Sequence, residues 1–260
     1  MILIAIILGT LTAGIGSVWI AAALSFGVLA KYTQHMLSLA AGALLATAFM
    51  HLLPEAFESQ ASAHDLFATL LAGLVFFFLL DKAELWHHGH EHGASHSHSH
   101  DHSDHHHSEK KSGGWAVLAG DSVHCFGDGI LIASAFMADM RLGIVASLAV
   151  LAHEVPHHMG DLVVLRQSTG NQRAAIVKVS MAGAVTALGG VLGYALVEQL
   201  YGYLPFFLIL ASSSFVYVAL ADLIPQLQKR AALSETAAQI AWLLVGIGLV
   251  TLISGVAHSH

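Results

Sequence analysis

Two apolar stretches in the middle of this chain carry side chains able to hold a metal ion. The first reads Asp121-Ser122-Val123-His124-Cys125-Phe126-Gly127-Asp128-Gly129, and the second reads His153-Glu154-Val155-Pro156-His157-His158-Met159-Gly160-Asp161. On a helix of about 3.6 residues per turn, side chains four apart stack on one face. That spacing pairs His124 with Asp128, and lines up His153, His157 and Asp161; Glu154 lies one step round the helix. The joint set His124, Cys125, Asp128, His153, Glu154 and His157 mixes nitrogen, sulfur and oxygen donors. Such a mixture favours Zn²⁺ over Mg²⁺ or Ca²⁺, which take oxygen shells. Fe²⁺, Mn²⁺, Cd²⁺ and Co²⁺ stay open. Coordinating imidazoles are neutral, so acid should weaken binding.

The elements that position these groups follow from composition. Of 260 residues, 56% are hydrophobic and 10% charged, against about 25% charged in soluble domains. Such a chain has too few charges to coat a soluble surface, and the lipid membrane becomes its expected partner. The net charge of −7 is modest, and the ten Lys and Arg form no basic stripe, so no nucleic-acid partner is expected. One cysteine excludes an intrachain disulfide. A spanning helix needs about 20 mostly apolar residues. Eight stretches qualify: roughly 2–30, 36–57, 66–86, 114–138, 142–165, 174–199, 204–226 and 237–257. Backbone groups in lipid must bond internally, so these are helices, and the fold class is all-α. The first stretch lacks a basic n-region and is too long for a cleaved signal.

Charge sets the orientation. With the N-terminus outside, the inner side holds Lys31, Lys82, Lys110, Lys111, Arg166, Arg173, Lys178, Lys229 and Arg230, and the outer side only Arg141. That split predicts eight spans with both termini outside. Residues 1–260 read as one transmembrane domain. Its longest polar break, 87–113, includes HHGHEHGASHSHSHDHSDHHH, with eleven histidines. Gly, Ser and Asp between them cannot build a core, so a disordered cytoplasmic loop is expected, serving as a weak collector of Zn²⁺ or Ni²⁺.

Polar side chains deep in lipid are costly and face a bundle interior, a cavity or a partner. Pro156 removes a backbone donor and should loosen its helix, freeing a carbonyl near Ala152. His51 and Glu55, also four apart, sit near the outer end of the second stretch. With Asp161 and His158 they are candidates for an entry or release path. Two other chemistries share these spellings. His153 to His157 reads H-E-x-x-H, the zinc-protease signature, with Glu154 as base. His124 and Asp128 resemble the H-x-x-x-D pair of cation-diffusion exporters, although six spans are typical there.

The chain resembles the ZIP (Zrt/Irt-like) metal transporters along nearly its whole length. HEVPHHMGD looks like the family's His-Glu-x-Pro-His-Glu-x-Gly-Asp, and HCFGDG looks like its His-Asn-x-x-Asp-Gly. AAGALLATAFMHLLPE and FVYVALADLIPQL are similar in kind. The resemblance implies a transporter, not an enzyme, that brings divalent metal into the cytosol by alternating access. It implies ligands at His124, Asp128, His153, Glu154 and His157. A homodimer is also an expected partner. The chain departs from the pattern in three places. Cys125 stands where Asn is usual, which should favour soft ions. His158 replaces the usual Glu and, about 100° round the helix from His157, is expected to face elsewhere. The sixth stretch has no interior acid, only Ser180 and Thr186, so a full two-metal site is not expected. The chain's size, with no N-terminal ectodomain, points to a bacterial inner (plasma) membrane.

Overall fold

The computed structural model describes residues 1–25, 33–89, 113–227 and 233–258, and among them every regular element is helical. Helix α1 is Ile2–Ser25, with a π-helical segment at Thr12–Gly16. Helix α2 joins Thr33–Thr47, a π segment Ala48–Leu52, and Leu53–Phe57. Then follow α3 (Ala63–Gly89), α4 (Gly113–Ala138), α5 (Met140–Thr169) and α6 (Gln172–Gln199). Helix α7 runs Leu204–Tyr217, through a third π segment Val218–Leu223, to Ile224–Leu227, and α8 is Leu233–His258.

Each expected apolar stretch overlaps one of these helices. Six are long and apolar enough to cross a membrane: those of α1, α2, α3, α6, α7 and α8. Helices α4 and α5 match them in length, but His and carboxylate residues make them less apolar. Helix α3 continues through Gly89 and α4 starts at Gly113. The expected loop at 87–113 is therefore helical at both edges, and its remainder, 90–112, lies outside the described residues.

The outward faces are apolar. Phe67, Leu71, Phe76 and Leu79 of α3 are exposed, as are Leu244, Leu249 and Leu252 of α8. A soluble monomer rarely tolerates such continuous apolar surface, whereas lipid accepts it. The chain is an all-helical, polytopic membrane protein. Between helices in lipid, close packing replaces the hydrophobic drive, and small residues let backbones meet. Among the described residues the most extensive interface is α4 on α6. A Cβ on Gly129 would collide with the Thr186 carbonyl and Gly190 nitrogen, and one on Gly189 with the Phe126 carbonyl. Helix α1 crosses α6 in the same way, with Gly14 against the Gly183 carbonyl.

A single residue joins α4 to α5. Asp139 is extended, and its Oδ1 accepts from the amides of Arg141 (2.8 Å) and Leu142 (3.3 Å), capping α5. Asp, Asn, Ser and Thr serve this role because a short acceptor satisfies the otherwise orphaned first-turn amides. Gly170, with a φ of 67°, ends α5, and the Asn171 side chain caps α6. Helix α5 runs unbroken through Pro156. The loosening expected there is limited to one missing backbone donor, because the turns on either side keep theirs.

Candidate metal centre

The one-residue turn at Asp139 holds α4 and α5 as an antiparallel pair, so residues counted back from the turn on α4 face residues counted forward on α5. Three groups of donors lie along this seam among the described residues. Nearest the turn are His124, Asp128, His153 and Glu154. Next come Asp121, Cys125, Glu154 and His158. Farthest from the turn are Asp121, His157, His158 and Asp161. Within each group the ligand atoms stand within 4.8 Å of one another.

The turn-side group is the most regular. Glu154 Oε1 is 3.2 Å from His124 Nε2 and 3.2 Å from His153 Nε2. Asp128 Oδ2 is 3.2 Å from His153 Nε2 and 3.9 Å from His124 Nε2. The two ring nitrogens are 3.4 Å apart. A tetrahedral zinc with ligands at about 2.0–2.1 Å has ligand-to-ligand edges of about 3.3–3.4 Å. Asp128 Oδ2 and Glu154 Oε1 are buried and receive no hydrogen bond of sound geometry, although ring nitrogens stand near them. Unsatisfied buried carboxylate oxygens are costly and call for a cation.

The ring orientation of His153 sharpens this. Its Nδ1 lies 3.3 Å from the Ala149 carbonyl, which can only accept. Nδ1 therefore carries the proton, and in the neutral ring the Nε2 lone pair points into the carboxylates. A backbone carbonyl behind a metal-binding histidine is a recurrent way of fixing that tautomer.

In the middle group, Cys125 Sγ is 3.6 Å from Asp121 Oδ1, 3.8 Å from Glu154 Oε2 and 4.0 Å from His158 Nε2. His158 Nε2 is 3.0 Å from Glu154 Oε2 and 3.5 Å from Asp121 Oδ1. A zinc–sulfur bond of about 2.3 Å opens the edges at sulfur to about 3.6 Å, close to these values. In the far group, His157 Nδ1 is 3.6 Å from Asp121 Oδ1 and 3.5 Å from Asp161 Oδ2.

The six residues expected as ligands thus divide among three groups. His124, Asp128, His153 and Glu154 come together. Cys125 joins Asp121 and His158 instead, and His157 belongs to the far group. His158 does not face elsewhere: it is fully buried, within reach of Glu154 four residues before it. Asp161 lies in the far group, whereas His51 and Glu55 lie on α2 outside all three. Beside the turn-side group stands a second group of possible donors. It draws on α4 and α5, not on the sixth helix, where the expectation looked for acids. Two participants went unselected in the sequence. Asp121 had a signal, being three residues before His124 and four before Cys125. Ser17, whose Oγ is 3.0 Å from His158 Nδ1, had none: it is one serine in an apolar run.

The zinc-protease spelling does not describe this geometry. That chemistry needs His153 and His157 on one ion with Glu154 held back as base. Here the two histidines sit in different groups, and Glu154 Oε1 stands among the ligand atoms.

Residues 81–254 match the family model described as "ZIP Zinc transporter". Zinc transporter ZIP10 of Danio rerio is 34% identical over 147 residues, covering 54% of this chain and 17% of the relative. Zinc transporter foi of Drosophila melanogaster is 31% identical over 141 residues, covering 54% and 20%. Zinc transporter ZIP13 of Pongo abelii is 28% identical over 247 residues, covering 86% and 68%. The chain therefore spans about a fifth of the length of ZIP10 and foi, and about two thirds of ZIP13.

Proposed function

This chain belongs to the ZIP zinc transporter family, and we propose that it carries Zn²⁺ into the cytosol by alternating access along the α4–α5 seam. The observation that carries this reading is the turn-side group. Four of the separations among its donor atoms are 3.2–3.4 Å, the edge of a tetrahedral zinc, with His124 to Asp128 longer at 3.9 Å, and two buried carboxylate oxygens receive no hydrogen bond of sound geometry. A site in the interior of a helix bundle, with further donors continuing along one seam, suits passage better than permanent residence. All eight helices span the membrane in this reading, with both termini outside, as the cation split requires. The Asp139 turn then faces outward, so ions enter at His124, Asp128, His153 and Glu154 and leave past His157 and Asp161. The His-rich segment at 87–113 collects them on the cytosolic side.

Zn²⁺ is the substrate that fits the mixed donors; Fe²⁺, Mn²⁺ and Cd²⁺ are competitors to be ranked, and a homodimer is the expected assembly. The relatives named above are animal proteins, so the sequence-based placement in a bacterial inner membrane gains nothing from them.

The test is flux of radioactive zinc in proteoliposomes. Saturable movement toward the side bearing residues 87–113, lost in Glu154→Gln, is expected. Movement in the opposite direction driven by a proton gradient would identify an exporter, and no flux from well-folded protein would refute transport. Protons compete with metal for imidazole nitrogen, so acidifying the outer solution should raise the half-saturating zinc concentration.

A further inference from the structure

The middle and far groups draw on the same atoms. His158 Nε2 faces Glu154 Oε2 and Cys125 Sγ in the middle group and Asp121 Oδ1 in both. Asp121 Oδ1 in turn faces Cys125 Sγ at 3.6 Å and His157 Nδ1 at 3.6 Å. An imidazole nitrogen has one lone pair and coordinates one ion. The middle and far groups therefore exclude one another. The turn-side and middle groups also share a residue, Glu154, but through different oxygens, Oε1 and Oε2. One carboxylate can serve two ions that way. The turn-side and far groups share no residue.

We propose that His158 is a pivot ligand. An ion leaving the middle group keeps His158 Nε2 and Asp121 Oδ1, and exchanges Cys125 Sγ and Glu154 Oε2 for His157 Nδ1 and Asp161 Oδ2. Two coordinate bonds break and two form, so the ion is never stripped of all its ligands at once. Far-group atoms await it: His157 Nδ1 and Asp161 Oδ2 are buried without hydrogen-bond partners. Exposure rises along the same direction. The side chains of Asp121, Glu154 and His158 are at most 1% exposed, whereas Asp161 is 14% and His157 38% exposed.

A pivot must hold its direction, and Ser17 of α1 supplies this. The Ser17 hydroxyl donates to the Gly14 carbonyl at 2.6 Å. Its single proton is thereby used, so at 3.0 Å from His158 Nδ1 the Ser17 oxygen accepts. His158 is thus protonated at Nδ1, and Nε2 is left for the metal, as in the usual support behind a metal-binding histidine. Gly14 lies in the π segment of α1 and closes on Gly183, which ties the brace to α6.

The inference rests on the transport reading only for the direction of travel; the ligand sharing stands apart from it. Co²⁺ bound to the purified full chain in lipid nanodiscs is the probe. A coordinating thiol is deprotonated, so an ion in the middle group gives a thiolate-to-cobalt absorption band, which Cys125→Ser should abolish. The seam should bind at most two ions, because one of the two inner groups is always blocked; they are counted in a background whose histidines at 87–107 are replaced by serine, which removes the collecting segment. Asp161→Asn removes a ligand of the far group alone. With a pivot, total bound cobalt stays the same and the thiolate band grows, as ions shared between the groups collect in the middle one; His157→Gln should repeat this. Three ions bound along the seam in that background, or a loss of one ion in Asp161→Asn with the band unchanged, would overturn the pivot, as would a wild type with no thiolate band. Ser17→Ala should weaken the affinity read from the band by about 10–100-fold, the usual effect of removing such support, and Ser17→Thr should restore it. Zinc flux with the same preparations separates the two ideas. Absent flux with the cobalt pattern intact condemns transport alone, and normal flux with independent sites condemns the pivot alone.

Discussion

The turn-side and far groups are built from the same kinds of residue, two histidines and two carboxylates each, from the same two helices. They differ in support and in access. In the turn-side group Asp128, His153 and Glu154 are buried and only His124 is partly exposed, ligand atoms approach to 3.2 Å, and the Ala149 carbonyl holds His153 from behind. In the far group the closest approaches are 3.5–3.6 Å, and His157 and Asp161 are partly exposed. Equal ligand sets therefore need not mean equal affinity. Tight spacing among mostly buried ligands suits capture, and looser spacing with two ligands beside solvent suits release, because water there replaces each ligand the ion gives up.

Mutations that act on one end, both or neither can break this contrast. The largest effect is expected for Glu154→Gln, which weakens the turn-side and middle groups together; zinc flux should fall to background. His153→Ala removes one well-held ligand from the turn-side group. It should raise the half-saturating zinc concentration by more than the roughly 10–100-fold that loss of a supporting partner costs, measured as initial uptake against zinc concentration. Asp161→Asn should instead slow maximal flux while leaving half-saturation near the wild-type value. If it raised half-saturation as much as His153→Ala, capture and release would not be divided between the two ends. Gly129→Ala tests the scaffold and not the ligands. The added methyl meets α6 backbone and should cost about 1–3 kcal/mol of stability, as overpacking does, read as an earlier thermal transition. The smallest effect is expected for Cys125→Ser, a modest loss of preference for Cd²⁺ over Zn²⁺ in competition uptake.

The helices and the two donor faces were legible in the sequence. Hydrophobic run length gave the elements, and the four-residue spacing gave His124 with Asp128. The grouping was not legible. On one helix, His124 and Cys125 point about 100° apart, but which neighbour each meets depends on the axial offset of α5. That offset is fixed by the turn at Asp139, which no periodicity encodes. His158 was misread for the same reason: its direction round α5 was right, but α1 and the inner part of α4 also converge there. Ser17 could not be found at all, since a serine in an apolar helix more often bonds its own preceding turn, as Thr10 does with Ile6.

The single-residue turn at Asp139 makes the protein unequally tolerant of changes in length. One residue more in that turn would rotate α5 by about 100° and shift it by about 1.5 Å relative to α4. All three groups would be dismantled together, with no ligand altered. Surface loops ordinarily accept insertions at little thermodynamic cost. Here a deletion or insertion scan should find the turn at 138–140 intolerant in flux, which would mark it as the ruler by which the ladder is measured.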